Sequence, residues 1–436
     1  MQFLYSVFVF ALFISYNPTI CHRYNYTPEE LINNHLFFLE PGKNVFSPYA
    51  EPISYPDKCE LKQLHLNTRH GSRYPEWGDI LEYDELEKVF ANVTIAKEWY
   101  KNPFPMSKQF QLIERGELEA YFDGIQCRKR YAKFWEGLKY DPEVIKFQSS
   151  ATSRTGMSAM AFSEGVFNGM GSLDTCKSQP VYISSIPSEQ DSVLQPYYCT
   201  RFNQTVMNID KNQYLQEQIY PYGNQTIKPI AERLSKEYNI TLDPKLVPAI
   251  FTYCQFWVTL YNRTDTWCSL LSPEELLRCR YYYDITYYYS LSYGHPFNKR
   301  MGCAYYTQLV NEVDSYLNGS SSVRADLKDS HGFTLMLDLT SLGLLKEKFN
   351  LTADLPLEKI KNLRSTIYTT IHWSTTLYFE IYVCSGDNND VKVRALLDFE
   401  PLPIPGCDGE YCDWKKFKEI LGDQIGCDWD EMCAYP

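Results

Sequence analysis

Basic residues are in short supply in this chain. Its 436 residues hold 42 lysines and arginines against 54 aspartates and glutamates, a formal net charge of −12. Such a balance does not suit a nucleic-acid backbone. It also gives no global attraction for a polyanionic small molecule, which would need a local basic pocket. Lys62, Arg69, Arg73, Arg128, Lys129, Arg130 and Arg154 are the candidates for one, although Arg128-Lys129-Arg130 reads first as a solvated helix face. Histidine is scarce as well. The seven histidines form no H-x-x-x-H and the fourteen cysteines no C-x-x-C, so no metal site is expected. There is no Walker-type or dinucleotide-type glycine loop, and no cofactor is expected. Internal repeats, coiled coils and low-complexity tracts are absent.

Long hydrophobic runs are missing too, apart from one at the start. Met1 to Ile14 has an apolar centre, Phe3–Ile14. It is too short to span a bilayer and reads as a secretory signal. No lysine or arginine precedes the run and no A-x-A follows it. Cleavage after Cys21 gives a signal over 1–21 and a mature chain over 22–436. The last residues, Cys433-Ala434-Tyr435-Pro436, carry neither a retrieval signal nor an apolar tail for a lipid anchor. A secreted or endolysosomal address is therefore expected.

What is abundant agrees with that route. Fourteen cysteines behind a signal imply disulfides. N-x-[ST] sequons stand at Asn25, Asn92, Asn203, Asn224, Asn239, Asn262, Asn318 and Asn350, and together they predict a glycoprotein.

Arg69-His70-Gly71-Ser72-Arg73-Tyr74-Pro75 is the most informative segment. It ends an alternating run, Leu61 to Asn67, that reads as a strand entering a tight turn. Two arginines flank one imidazole. That grouping suits a guanidinium clamp on a phosphate dianion while a histidine nitrogen attacks phosphorus. Glycine permits close backbone approach, and proline stiffens the exit. A basic loop with a surface histidine is the plainer alternative.

Other strand-like runs also end at polar turns. Val144–Ser150 leads to Arg154 and a helix over 155–170. Pro180–Ile186 is a further strand candidate. Ser330-His331-Gly332 precedes a leucine-rich helix to about Glu347. Thr376–Cys384 and Val391–Phe399 are strand-like. Alternation of strands and helices predicts an α/β fold, a mostly parallel sheet with helices on both faces. Ligands in such sheets bind at the carboxyl ends of the strands, where Arg69, His70, Arg154 and His331 all fall. Residues 80–140 and 200–300 are helix-like and tyrosine-rich. They read as insertions forming a helical cap, with Tyr281–Tyr283 and Tyr287–Tyr289 as packing residues.

The R-H-G-x-R-Y-P segment resembles the histidine acid phosphatase superfamily, most of all its phytase and multiple inositol polyphosphate phosphatase branches. The resemblance extends over most of the mature chain: Gln148–Arg154 with Ser158-Ala159 and Phe162, Asp284-Ile285 with Tyr287-Tyr288 and Tyr293-Gly294, Leu377–Glu380, and Pro405-Gly406-Cys407. It implies a phosphoglycerate-mutase-like fold with an inserted cap. It implies a secreted phosphomonoesterase for inositol polyphosphates or related esters. His70 would be the phosphorylated nucleophile, Arg69, Arg73 and Arg154 the phosphate ligands, and His331 the second catalytic histidine. It also implies the pairs Cys59–Cys384, Cys199–Cys433, Cys254–Cys268 and Cys407–Cys412. The pairing of Cys127, Cys176, Cys279, Cys303 and Cys427 stays open.

The pattern breaks at Ser330-His331-Gly332-Phe333. The family carries a carboxylate one or two residues after this histidine, as leaving-group donor, and here Gly332 and Phe333 occupy both places. A general acid contributes about 10²–10⁴ in rate, while positioning and charge stabilisation carry most of phosphoryl transfer. A handicapped enzyme is thus expected rather than a dead one, with Asp329, Asp338 or Glu380 as substitute acids. The alternative is a catalytically impaired relative that binds phosphorylated ligands. A phosphoglycerate-mutase-like enzyme shares the R-H-G core but needs neither a signal nor these cysteines. Oligomeric state is not legible.

Overall fold

The computed structural model describes residues 55–435 except 262, 264, 365–369 and 386–389. The signal segment, Cys21, Asn25 and Asn262 lie outside the described residues. Eight strands form one sheet: β1 Cys59–Arg69, β2 Ile145–Ser149, β3 Ile183–Ser184, β4 Ala325–Ser330, β5 Thr376–Cys384, β6 Val391–Leu397, β7 Glu400–Leu402 and β8 Cys412–Asp413. The longer helices used below are α1 Trp77–Phe90, α2 Glu114–Arg130, α3 Ser153–Val166, α4 Gln213–Tyr222, α5 Lys228–Tyr238, α6 Val247–Tyr261, α7 Pro273–Leu291, α8 Cys303–Leu317, α9 Gly332–Leu342 and α10 Trp414–Leu421.

The sheet order is β3-β2-β4-β1-β5-β6-β7, with β8 on β6. The expected α/β sheet is present, but it is mixed rather than mostly parallel. β3, β2, β4 and β1 run parallel, while β5 is antiparallel to β1 and β6 to β5. For β5 and β6 the reason is local: only residues 385–390 join them, too few for a crossover helix. Of the Pro180–Ile186 run, only Ile183–Ser184 pairs. α9 stops at Leu342 because Gly343 takes a left-handed cap at φ 79°.

Alternating residues of β5 feed two cores. Leu377, Phe379 and Ile381 pack with Leu335, Leu337 and Tyr306 of α9 and α8 on one face. Tyr378 and Tyr382 pack with Tyr131, Trp135 and Phe162 beneath α2 and α3 on the other. A third core is helical, joining α1, α4, α5, α6 and α7, with Tyr83 stacked on Tyr253 at 4.0 Å and Tyr253 on Trp267 at 4.5 Å. Its membership redraws the expected insertions. Of residues 80–140, those through Phe104 pack in the helical core, whereas α2 packs against the sheet. Of residues 200–300, Phe202, Val206 and Leu291 belong to the sheet side.

Disulfides join Cys59 to Cys384, Cys199 to Cys433, Cys254 to Cys268, Cys303 to Cys427 and Cys407 to Cys412. Cys176 is disulfide-bonded as well, and Cys127 and Cys279 are buried thiols. Asn92, Asn203, Asn224, Asn239, Asn318 and Asn350 are exposed. No helix of the described residues is long and apolar enough to cross a membrane.

Candidate active site

Three strand ends set the site. Arg69 of β1 lies opposite Ser330 of β4, and Ser149 of β2 opposite Asp329. The turns that follow open at one edge of the sheet. The first delivers Arg69, His70 and Arg73. The second delivers Arg154 at the start of α3, and the third delivers His331 just before α9. All five side chains line one cavity of about 460 Å³, roofed by Thr252, Gln255 and Phe256 of α6 and Tyr283 and Tyr287 of α7. The N-termini of α3 and α9 both meet this edge, adding positive dipole ends near a bound anion.

The first turn is clamped from behind. His70 N–H donates to Ser330 O at 3.1 Å, and Ser374 N–H donates to His70 O at 3.3 Å. Gly71 N–H donates to Ser158 Oγ at 3.1 Å, and the Ser72 amide and hydroxyl each donate to the Glu119 carboxylate at 2.8 Å. A Cβ on Gly71 would stand 2.2 Å from Gly116 O, and one on Gly116 would stand 2.2 Å from Ser72 O. Two backbones touch here, so both positions need glycine.

This clamp orients the imidazoles. His70 Nδ1 lies 2.9 Å from Gly71 O, which only accepts, so Nδ1 carries the proton. Nε2 then keeps its lone pair and accepts from Arg154 Nε at 3.1 Å. The Arg154 terminal nitrogen lies 3.2 Å from His331 Nδ1, and a guanidinium only donates, so that nitrogen is unprotonated. His331 Nε2–H therefore donates to Ser150 Oγ at 2.8 Å. Burial first, and Arg154 second, hold both imidazoles well below their ordinary range. They stay neutral into acidic solution.

The arginines are braced by backbone and rings. Arg69 donates to Ile371 O, and its guanidinium lies 3.8 Å from the Trp373 ring centre. Arg73 donates to Tyr74 O at 2.8 Å and sits 5.4 Å from both Phe110 and Trp373. Arg154 lies 5.1 Å from Phe110. Burial, then Arg73, lowers the Arg154 guanidinium to about 10, so it remains a cation at neutral pH.

The expected substitute acids do not line the cavity. Asp338 is buried and accepts from Asn67 Nδ2 at 2.9 Å; Glu380 is bonded to Arg394, Tyr131 and Tyr382. Asp329 is buried outside the lining but within reach of the Arg154 charge; burial holds its carboxyl well above the usual range, and Arg154 opposes that rise. Gly332 and Phe333 do line it, and the Phe333 ring packs 6.1 Å from Tyr197 and 5.5 Å from Tyr287. The carboxyls that line the cavity are Glu76 and Asp79. They form a reciprocal capping box on α1, each accepting from the other's backbone amide. Burial, then Glu76, raises Asp79 to about 7. The E-x-x-D spacing right after Pro75 could have marked this pair as a helix cap but not as part of a cavity. His372 and Trp373 also line the cavity without any sequence signal. Lys62, Arg128, Lys129 and Arg130 do not line it. Lys62 pairs with Glu60 at 2.8 Å, and Arg130 reaches Phe399 O at the far end of α2.

With this geometry in view, the sequence profile described as histidine phosphatase superfamily (branch 2) matches residues 60–398. The chain belongs to that superfamily. Multiple inositol polyphosphate phosphatase 1 of Dictyostelium discoideum is 26% identical, across 87% of this chain and 69% of its own length. Thiamine-repressible acid phosphatase pho4 of Schizosaccharomyces pombe is also 26% identical, across 85% and 83%. The crystal structure of the phytase from D. castellii superposes with a TM-score of 0.69 at 18% identity, covering 89% of this chain and 84% of that one. This histidine phosphatase thus shares its overall fold with a phytase.

Proposed function

We propose that this histidine phosphatase hydrolyses phosphate monoesters through a phosphohistidine at His70. The observation that carries the reading is the state of His70: buried, neutral, Nδ1 tied to Gly71 O, and Nε2 presented to the cavity beside Arg154. Nε2 attacks phosphorus as the ester P–O bond breaks, and the alcohol oxygen leaves with its electron pair. Arg69, Arg73 and Arg154 spread the charge of the transferring group. His331, neutral with Nδ1 toward Arg154, orients that arginine and borders the phosphoryl position. Water then splits the N–P bond, releasing phosphate and restoring His70. The leaving oxygen finds no carboxyl at Gly332 or Phe333, and it takes its proton from solvent. Loss of that acid is what favours the second reading, a phosphate-binding relative with little turnover. The apolar leader, the exposed sequons and the disulfides support a secreted or endolysosomal glycoprotein. The motif resemblance and the names of relatives are what favour inositol polyphosphates as its substrates. Release of inorganic phosphate from phenyl phosphate tests the reading. Wild-type protein is expected to turn over and His70→Ala to be inert with its fold intact; an active His70→Ala would overturn it.

A further inference from the structure

We infer that the cavity selects monophosphate esters with an uncharged aromatic alcohol part and rejects polyphosphates. The inference rests on the phosphohistidine reading and names its substrate class.

Charge comes first. Among the described residues lining the cavity there are three arginines, two carboxyl residues and no lysine. The arginines converge on the two histidines and so serve the group being transferred. Glu76 and Asp79 stand against the same arginines: Asp79 feels the Arg73 charge, and Arg154 feels Glu76. With a phosphoryl dianion bound, the lining is net negative once Asp79 ionises. The remaining phosphates of a polyphosphorylated ring would meet a lining that offers two carboxyl groups and, among the described residues, no further lysine or arginine. Unpaired like charges in a poorly hydrated site are an effective means of rejection.

The walls come second. Phe110 underlies Arg73 and Arg154, and Trp373 lies 5.5 Å from His70. Phe333, Tyr197 and Tyr287 also line the cavity and join in one aromatic surface beside His331. Aromatic rings bordering a phosphate clamp suit a flat apolar alcohol part, which gains by burial and ring contact. Phe333 contributes twice. It supplies wall, and it removes the acid that an alkoxide needs and a phenolate does not.

The test uses the full secreted chain. kcat/KM is measured for phenyl phosphate, cyclohexyl phosphate and inositol hexakisphosphate at pH 7.5, and Kd for the same three on His70→Ala. Phenyl phosphate is expected to exceed inositol hexakisphosphate by at least about 100-fold in kcat/KM and to bind more tightly to His70→Ala. Gln255→Lys, which puts a cation into the roof without touching the α1 cap, and separately Glu76→Gln, are each expected to narrow that gap about ten-fold or more. Comparable rates for phenyl phosphate and inositol hexakisphosphate, or tighter binding of the latter, would overturn the inference and leave the phosphohistidine reading standing. If no ester is turned over, the phosphohistidine reading fails, and the Kd order on its own decides the selectivity.

Discussion

At the scale of single residues, the states of His70 and His331 bear on how activity should depend on pH. Burial and Arg154 hold both imidazoles well below their ordinary values. The attacking form, neutral His70, is therefore populated throughout mildly acidic solution. kcat/KM for phenyl phosphate should show no enzyme-derived acid limb near the usual imidazole pKa of about 6.5. Any inflection near 6 should belong to the substrate phosphate and move when the ester is changed. A limb that stays near 6.5 across esters would mean that His70 is solvated and differently placed. Phe333 controls a second observable. Phe333→Glu restores an acid beside His331 and should raise the cyclohexyl phosphate rate by up to ~10²-fold, with far less effect on phenyl phosphate. Equal gains on both esters would assign Phe333 a binding role alone. The residues proposed to carry this chemistry were legible because they cluster in one motif and in turns that follow strands, and these turns meet at one cavity. Glu76, Asp79 and Trp373 were harder. They reach the cavity only because α1 and the loop before β5 fold back over the strand ends, a tertiary fact with no local period.

At the scale of elements, the crossing of α2 and α3 positions the phosphate clamp. A Cβ on Gly124 would lie 2.1 Å from Phe162 O, and one on Gly165 would lie 2.1 Å from Tyr121 O. The two backbones are in contact, and α3 carries Arg154 at its start. Gly165→Ala must push the helices apart. It should cost about 1–3 kcal/mol of stability in urea unfolding and weaken vanadate binding in step. Unchanged stability would show that the crossing is looser than described. The same element explains a misreading. α2 is amphipathic and adjoins a helix-rich stretch, so sequence pattern grouped it with the cap. Periodicity reveals that a helix has an apolar face but not which layer receives it. The antiparallel half of the sheet was missed for a related reason. The β-type pattern of Thr376–Cys384 and Val391–Leu397 was plain, while strand direction depends on connection length and pairing.

At the scale of the whole molecule, Cys59–Cys384 ties the first residue of β1 to the last of β5 across 325 residues. Replacing both cysteines with serine should cost about 2–5 kcal/mol, seen as an earlier midpoint in denaturant with the phosphate site otherwise intact. No loss would mean that the strand pairing alone sets the register of β1 against β5. The formal net charge of −12 gives polyanions no attraction at a distance, so capture of a phosphate would rest on the three arginines that line the cavity. The most direct measurement of the central claim is the identity of the covalent intermediate. Full-length protein is mixed with phenyl phosphate, quenched in base, digested and sequenced by mass spectrometry. The account predicts a base-stable, acid-labile phosphate on His70, absent from His70→Ala. Turnover with no phosphate on His70, or with phosphate on His331 instead, would contradict it.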